Sequence, residues 1–381
     1  MLDAAGQALR AQLMELFRSS GAQLGDEEFD ALALRIFRFQ FERNVPYAAF
    51  CERRGLTPDA VAHWSEIPAV PTAAFREVEL IAGARANVEM VFRTSGTSAP
   101  GETRGSHYIL DLSLYHFSLI PAFAAHVLPD GAELPLLSLI PSDRELPDSS
   151  LAHMVAVVLQ RLGAADSGYF ATAERGIDDA ALGAALARAC EAQRPVCLLG
   201  TSFSFVHWTD RLRERGERYL LPQGSRLMDT GGYKGRSREV PAGDMLAAYQ
   251  DLLGIGADYC VNEYGMTELC SQYYDATLRA QSATAADGAT RPRPRRKVAL
   301  PWLRTRVVDP ETLEAVPDGT RGLLQHLDLA NLGSVIAVQT EDVGMLNDDG
   351  LELFGRAGTA VPRGCSIAMD DLLAAVQRPR A

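Results

Sequence analysis

The sequence predicts an α/β protein preceded by a helical segment, and two patterns lead to that prediction. Residues 1–80 carry apolar side chains at helical spacing, as in "AQLMELF" and "FDALALRIFRFQFERN". From about residue 87 to 345, short β-type runs such as "VEMVF", "LPLLSLI", "PVCLLG" and "GADYCVNEYG" alternate with helical segments such as "AALGAALARACEA" and "PAGDMLAAYQDLL". Strands that alternate with helices indicate a largely parallel sheet with helices packed against it.

The order of segments also predicts a domain organisation. A compact basic stretch, "RPRPRRK" at 291–297, is interpreted as a solvated hinge in preference to a nucleic-acid patch. After it, "LRTRVVDPETLEAVPDGTRGLLQHLD" indicates a small antiparallel β unit: strand, Asp-Pro-Glu-Thr turn, strand and Asp-Gly turn. We therefore expect a helical lead-in over 1–86, an α/β core over 87–345 and a short C-terminal tail over 346–381.

Composition limits the partners of the chain. Its 381 residues are 47% hydrophobic and carry a net charge of −12, which disfavours general binding to nucleic acid or to an anionic membrane. No apolar run approaches the ~20 residues of a membrane span, and the N-terminus has an amphipathic helical pattern. The six cysteines form no C-x-x-C pair. We expect a cytoplasmic protein without structural zinc or disulfides.

A stretch rich in Gly, Ser, Thr and Pro follows one β-type run: "VFRTSGTSAPGETRG", 91–105. Backbone N–H groups and small hydroxyls of this kind can surround a phosphate, although a flexible surface turn has the same composition. Gly96 and Gly101 have the spacing of a Walker A loop. Glu102 stands where that motif requires Lys, with Thr103 at the Ser or Thr position, and a carboxylate there would repel a triphosphate, which disfavours an ordinary P-loop NTPase.

Three further segments favour a nucleotide. "NEYGMTE" at 262–268 brings an aromatic ring, a hydroxyl and a carboxylate close together after a β-type run. "TEDVG" at 340–344 places Asp342 at the end of another such run, and "FGR" adds Arg356. Each segment alone has a structural alternative, such as a buried tyrosine or a loop turn. Together they supply the groups that ATP and Mg²⁺ require.

In this order, the segments resemble the adenylate-forming superfamily of acyl-CoA synthetases, luciferases and peptide-synthetase adenylation domains. The resemblance covers about 87–365 and implies mixed α/β sheets with helices, plus a small antiparallel unit. It implies that Glu268 binds Mg²⁺, that Thr267 lies near the α-phosphate, and that "DTGGYKG" at 229–235 lies beside adenine. The remaining ATP-binding residues that it implies are Thr94, Ser95, Gly96, Thr97, Ser98, Gly231, Gly232, Tyr233, Tyr264, Gly265, Met266, Asp342 and Arg356.

One departure from the superfamily is large. Its members usually carry a mobile C-terminal lid with a catalytic lysine, whereas 25 residues follow Arg356 here and none is lysine. We expect that the full lid domain is absent. The chain has two lysines, and Lys234 is the better candidate for the missing cation because Lys297 falls in the basic hinge.

The tail "GRAGTAVPRGCSIAMDDL" contains Cys365 two residues after Arg363. A nearby guanidinium lowers a thiol pKa, so a flexible, reactive acyl-accepting cysteine is predicted. "TEDVG", "GR", "RGC", "GTSFSFV" and "GGYKG" resemble the LuxE family of acyl-protein synthetases over nearly the whole chain. That resemblance implies activation of a fatty acid as acyl-AMP, transfer to Cys365, and delivery to a partner such as an acyl reductase or carrier protein.

Other interpretations stay open at this point. For the acid pocket, "LLGTSFSFVHW" at 198–208 suggests an apolar wall, but a strand end that enters a core helix explains it equally well. The pocket residues are Gly200, Thr201, Ser202, Phe203 and Phe205. An acyl-CoA ligase of the phenylacetate type, with CoA as acceptor, is the nearest alternative function. A non-catalytic nucleotide-binding or scaffold protein is an alternative from another class.

Overall fold

The computed structural model describes residues 2–18, 24–95, 103–231, 240–280, 282, 295–358 and 362–377. The chain forms two compact units, and both are discontinuous in sequence. The first unit contains 1–121, 266–272 and 297–381, and the second contains 122–265 and 273–296. The three consecutive segments predicted from sequence do not coincide with these units, because the predicted lead-in and tail belong to one unit and the predicted core is divided between both.

The helices follow the predicted pattern closely. Asn44 begins α3 by accepting a hydrogen bond from Tyr47 N at 3.2 Å, and Gly216 ends α8 in the left-handed region at φ 68°. The bounds are α1 (Ala4–Arg18), α2 (Asp26–Arg43), α3 (Val45–Arg53), α4 (Ala74–Glu77), α5 (Leu112–Val127), α6 (Ser150–Leu162), α7 (Asp179–Glu191), α8 (Ser202–Arg215), α9 (Ala242–Leu253) and α10 (Arg363–Val376). Among the described residues, no helix is both long and apolar enough to cross a bilayer.

The longest strands lie in the first unit, which also contains two strands of only two residues. Their bounds are β1 (Val70–Pro71), β2 (Met90–Arg93), β3 (Ser106–Ile109), β4 (Leu136–Ser138), β5 (Gly168–Tyr169), β6 (Ala171–Thr172), β7 (Gly176–Ile177), β8 (Cys197–Thr201), β9 (Arg226–Thr230), β10 (Cys260–Tyr264), β11 (Tyr273–Asp275), β12 (Lys297–Val298), β13 (Leu303–Val308), β14 (Gly322–Asp328), β15 (Ala337–Asn347) and β16 (Gly350–Arg356).

In the first unit, β13, β14, β15, β16 and β12 form an antiparallel sheet in that order. β1 adds in parallel to the first half of β15, with Val70 opposite Val338. This sheet is the predicted antiparallel unit, although the predicted strand between its two turns is a single bridge from Val308 to Ala315. A separate ribbon pairs β2 with β3. Helix α10 packs against α3 and β1, which ties the C-terminal helix to the N-terminal part of the chain.

In the second unit, β10, β9, β8, β4 and β5 form the predicted parallel sheet, and β11 adds antiparallel to β10. Helices α7, α8 and α9 cover it with a continuous apolar core that includes Leu198, Trp208, Leu227 and Tyr249. Burial of this core is the main force that holds the unit together. Because the strands are parallel, the residues that follow β8, β9 and β10 emerge at one edge, where ligands bind in open α/β sheets.

Candidate active site

The phosphate-loop candidate begins directly after β2. The Thr94 N–H donates to the Gly105 carbonyl at 2.9 Å, and the Gly105 N–H donates to the Thr94 hydroxyl oxygen at 2.9 Å. Arg104 Nε also donates to the Thr94 carbonyl at 2.6 Å. These contacts close the base of the loop in the first unit, and Ser95 lies exposed beyond it. The other predicted residues of this loop, Gly96, Thr97 and Ser98, lie outside the described residues.

The "NEYGMTE" segment crosses from one unit to the other after Gly265. In the second unit, Tyr264 ends β10, and its ring lies 5.7 Å from that of Tyr273 with a tilt of 38°. In the first unit, Thr267 and Glu268 follow Met266, and Glu268 is only 7% exposed. The predicted adenine-side and metal-side residues are therefore consecutive in the chain but belong to different units.

Buried polar side chains hold the main chain of Thr267 and Glu268. The Nδ1 atom of His107, on β3, lies 2.7 Å from the Thr267 carbonyl oxygen. Asn331 Nδ2 donates to the Glu268 carbonyl at 3.0 Å. Asp328 accepts from the Cys270 N–H at 2.8 Å and from the Ser271 hydroxyl at 2.7 Å. The sequence motifs do not include His107, Asp328 or Asn331. The one feature of the sequence that indicates buried polar residues here is the aspartate and asparagine within the apolar run "HLDLANL".

Asp342 and Arg356 lie opposite each other on β15 and β16. Arg356 Nε is 3.5 Å from Asp342 Oδ1, and the Asp342 N–H donates to the Thr340 hydroxyl at 3.0 Å. A register shift follows at Val343 and Gly344, and Gly355 has φ +97°, a conformation that favours glycine. This register shift is a β-bulge, and it interrupts the regular pairing of β15 with β16 directly after the Asp342–Arg356 pair. The structure therefore places two of the predicted ATP-binding residues side by side.

Cys365 differs from its prediction as a reactive thiol in a flexible tail. It lies in the first turn of α10, is 4% exposed and packs with Val308 and Leu323. Its Sγ is 3.8 Å from the Thr340 carbonyl. Burial, with a smaller effect of the Glu341 charge, raises the pKa of the thiol to about 11. The expected lowering of the pKa by Arg363 is therefore wrong for this conformation, because removal from water disfavours the thiolate and the charge that acts on it is the anionic Glu341.

The glycine before this cysteine explains how the thiol becomes buried. Gly364 N–H donates to the Pro310 carbonyl at 2.9 Å, and a Cβ on Gly364 would come within 2.7 Å of the Leu313 side chain. Only glycine allows this close approach of α10 to the turn after β13. A glycine beside a cysteine is typical of a flexible segment, whereas this fold uses Gly364 for close packing.

The residues predicted to line the acid pocket have different environments in the structure. Thr201 caps α8 by accepting from Ser204 N at 3.0 Å, and Ser202 Oγ donates to the Gly231 carbonyl at 2.9 Å. Phe205 is fully buried against Trp208 and Tyr249, so its role as a tunnel wall is wrong. A Cβ on Gly200 would come within 2.6 Å of the Phe205 ring. The structure has the alternative geometry, a strand end that enters a core helix, and leaves half-buried Phe203 as the aromatic candidate.

The structure describes one of the two lysines, Lys297. Lys234 lies outside the described residues, as do Gly232 and Tyr233 of the same glycine-rich segment. Lys297 is only 6% exposed on β12, opposite Leu351 of β16, so its predicted position in a solvated hinge is wrong. Arg295, two residues earlier, binds Asp275 at 2.8 Å within the second unit. The C-terminal half of the basic stretch therefore belongs to packed structure, because its side chains find strand and carboxylate partners.

The side chains available as metal ligands suit a Mg²⁺ ion that is held mainly by a nucleotide. In the described part of the chain, no group of three or more His, Cys, Asp or Glu side chains is arranged to hold a metal. Mg²⁺ in nucleotide enzymes commonly uses one or two carboxylates and completes its shell with phosphate oxygens and water. The single carboxylate of Glu268 suits that arrangement and does not suit an all-protein metal site.

Comparison with known proteins points to one protein family. The family profile described as "Acyl-protein synthetase, LuxE" matches residues 18–374. The chain is 22% identical over 360 residues to the long-chain-fatty-acid–luciferin-component ligase of Aliivibrio fischeri, covering 90% of this chain and 88% of that protein. It is 22% identical over 350 residues to the protein of the same name from Vibrio harveyi, covering 89% and 86%.

Solved structures show the same fold. An open conformation of 2-hydroxyisobutyryl-CoA ligase, in complex with 2-HIB-AMP and CoA, matches with a TM-score of 0.62 at 14% identity, covering 88% of this chain and 72% of that one. The postadenylation state of that ligase, in complex with R3-HIB-AMP, matches with a TM-score of 0.61 at 16% identity, covering 88% and 69%. The predicted adenylate-forming α/β architecture is thereby confirmed.

Proposed function

Because the chain belongs to the LuxE family of acyl-protein synthetases, we propose that it activates a carboxylic acid with ATP and transfers the acyl group to Cys365. A fatty acid is the substrate class, in line with the curated relatives, whose names specify a long-chain fatty acid. The observation that carries the proposal is the contact of Cys365 with Thr340 on β15, two residues before Asp342. The proposed acceptor thiol on α10 thus contacts the same short stretch of strand that carries Asp342, the carboxylate proposed to bind ribose.

The first half-reaction makes the acid an acyl donor. A carboxylate oxygen attacks the α-phosphorus of ATP, an O–P bond forms, and the bond to pyrophosphate breaks. Glu268 would hold Mg²⁺, which supplies positive charge against the phosphate oxygens when it is bound. Thr267 and the hydroxyls of the 94–98 loop would donate to phosphate, and Lys234 would add one cation. Tyr264 and Gly231–Tyr233 would lie beside adenine.

The second half-reaction moves the acyl group to sulfur. The Cys365 thiolate attacks the acyl carbon, a C–S bond forms, and the C–O bond to AMP breaks. The thioester is then available to an acyl-accepting partner protein. Since the thiol is covered in this structure, the transfer requires α10 to withdraw from the sheet. Once uncovered, Cys365 would sit at a helix N-terminus beside Arg363, where its pKa falls and the thiolate becomes accessible.

Acid-dependent exchange of labelled pyrophosphate into ATP, across fatty and aromatic acids of increasing length, tests the first step. We expect exchange with a subset of the fatty acids. A labelled acid then tests the second step, because a thioester on the protein is released by neutral hydroxylamine. A protein that shows neither exchange nor label with any acid would overturn the proposal.

The buried state of Cys365 specifically favours one alternative, an acyl-CoA ligase of the phenylacetate type. In that case, CoA takes the acyl group directly and Cys365 only packs against Val308 and Leu323. Addition of CoA to the same assay separates the two functions. Rapid formation of acyl-CoA, with no labelled protein at any time, would support the ligase.

A further inference from the structure

A buried polar network lies behind the segment that carries Glu268, and no motif of the site includes it. Its members are His107 on β3, Asp328 at the end of β14, and Asn331 in the turn that follows. All three are at most 1% exposed and belong to the first unit, as do residues 266–272. Burial of polar groups costs free energy unless each group has a hydrogen-bond partner, so a buried network of this kind needs a physical explanation.

The network engages the main chain of the Glu268 segment at consecutive residues. His107 meets the Thr267 carbonyl at 2.7 Å, and Asn331 Nδ2 donates to the Glu268 carbonyl at 3.0 Å. Because a carbonyl only accepts, the His107 Nδ1 atom must carry the proton in this contact. Asp328 then takes the Cys270 N–H and the Ser271 hydroxyl. The peptide groups before and after the Glu268 Cα are therefore both held by side chains of this network.

The anchors are themselves held in place. His107 Nε2 lies 2.9 Å from Asn331 Oδ1; since this amide oxygen also only accepts, the contact is a hydrogen bond in the imidazolium form, in which both ring nitrogens donate. The Phe75 ring packs edge-on against the imidazole, with centroids 5.8 Å apart and an interplanar angle of 89°. Gln40 Nε2 donates to the Asn331 carbonyl at 2.7 Å, and Ala330 N–H donates to Asp328 at 3.0 Å. Side chains with this many fixed partners have one orientation and can set that of the segment.

We propose that His107, Asn331 and Asp328 are positioning residues that aim the Glu268 carboxylate at the metal of Mg·ATP. This inference rests on the proposed function only for the identity of the metal complex. A carboxylate on an unanchored segment would have to be ordered when the metal binds, and that ordering would weaken binding. The three residues act through the backbone of 267–271 and do not touch substrate.

The test uses the full chain and two readouts on each variant. Hydrogen exchange without ligand reports the mobility of amides 267–272. Titration of Mn²⁺ in the presence of ATP, followed by the paramagnetic signal of free Mn²⁺, reports metal binding without turnover. His107→Phe keeps a ring and loses the Nδ1 donor, whereas His107→Asn keeps a donor near that position. We expect His107→Phe to speed exchange of the segment and weaken Mn²⁺ binding about tenfold, the effect of one lost buried hydrogen bond. His107→Asn should restore most of both.

His126→Phe is the matched control. His126 is equally buried and its Nδ1 also meets a carbonyl, that of Ala122 at 2.8 Å, but it belongs to the second unit and is not a member of this network. It should change neither readout. If His107→Phe fails to fold, Asn331→Asp supplies the same test, because it keeps the shape of the side chain and removes the donor to Glu268.

Two results would overturn the inference. One is a folded variant with wild-type exchange at 267–272 and wild-type Mn²⁺ binding. The other is faster exchange with unchanged Mn²⁺ binding, which would make the network a purely structural anchor. Neither result depends on the carboxylic acid. A wild type that binds Mn·ATP but never exchanges pyrophosphate would contradict the proposed function and leave the positioning role intact.

Discussion

Asp342 and Arg356 are directly opposed on neighbouring antiparallel strands, with Arg356 Nε 3.5 Å from Asp342 Oδ1. The two partners differ sharply in exposure, since the aspartate side chain is 17% exposed and the arginine side chain 70%. An ion pair with one partner so open to water contributes little to folding stability. Arg356 is therefore free to leave the carboxylate and meet an anionic ligand, and the pair's effect should appear in nucleotide binding.

Asp342→Ala should weaken ATP binding and leave the fold intact. If the carboxylate accepts from the ribose hydroxyls, its removal costs roughly 1.5–3 kcal/mol for each charged hydrogen bond lost, or about ten- to a hundredfold in Kd. Calorimetric titration with ATP measures the change. Asp349→Ala, in the exposed turn of the same hairpin, should bind ATP as the wild type does. Equal affinity in both variants would reduce Asp342 to a strand residue.

Glu268→Gln should strongly reduce adenylation at unchanged thermal stability. The substitution keeps the size of the side chain and removes the charge proposed to hold Mg²⁺. Loss of one such preorganised electrostatic contact costs ~10²–10³ in rate. Pyrophosphate exchange measures it, with exposed Glu311→Gln as the matched variant. Near-normal exchange in a folded Glu268→Gln protein would contradict the metal role.

Cys365→Ser should separate the two half-reactions. Adenylation requires ATP, Mg²⁺ and the acid but no thiol, so pyrophosphate exchange should persist. Transfer should be lost, because a serine hydroxyl without an adjacent base is a poor nucleophile. Labelled acid followed by neutral hydroxylamine detects the thioester. Cys190→Ser should retain the label, and a hydroxylamine-labile label that persists on Cys365→Ser would identify another cysteine as the acceptor.

Asp371→Asn should make Cys365 more reactive. Arg53 at the end of α3 and the next residue, Arg54, both contact the Asp371 carboxylate of α10, at 3.1 and 3.2 Å, and these ion pairs help to hold α10, and Cys365 with it, against the sheet. Partly exposed pairs are worth at most about 1 kcal/mol each, so we expect a several-fold faster rate of alkylation. Mass spectrometry after iodoacetamide treatment quantifies Cys365. Asp370→Asn, at an exposed neighbouring position, should react like the wild type. Identical alkylation rates in both variants would show that these ion pairs do not keep Cys365 buried.

The pH dependence of alkylation should show the covered state directly. Only the thiolate reacts, and burial raises the pKa of Cys365 to about 11. The thiolate is therefore about one part in a thousand near pH 8, and the rate should rise about tenfold per pH unit without levelling between pH 8 and 10. Peptide-resolved alkylation rates across that range provide the measurement. A plateau near pH 8 in the wild type would mean that the thiol is uncovered in solution.

Local patterns were sufficient for much of the fold. Apolar spacing predicted α1 and α2, and alternating runs predicted the parallel strands around β8, β9 and β10. These features depend on neighbours within a few residues, where side-chain period and turn chemistry decide the outcome. The order of the motifs was also enough to indicate an adenylate-forming enzyme, because in that order they resemble the motifs of the adenylate-forming superfamily.

The tertiary structure decided the environment of each functional side chain. The sequence places Arg363 near Cys365 and predicts a reactive thiol, but the fold puts that thiol in the first turn of α10 and packs it against β15. It likewise turns Phe205 into core and Lys297 into a buried strand residue. Asp328 and Asn331, about sixty residues from Glu268 in sequence, become the anchors of its main chain. Burial, dielectric environment and hydrogen-bond partners come from segments distant in the chain, so no local pattern contains them.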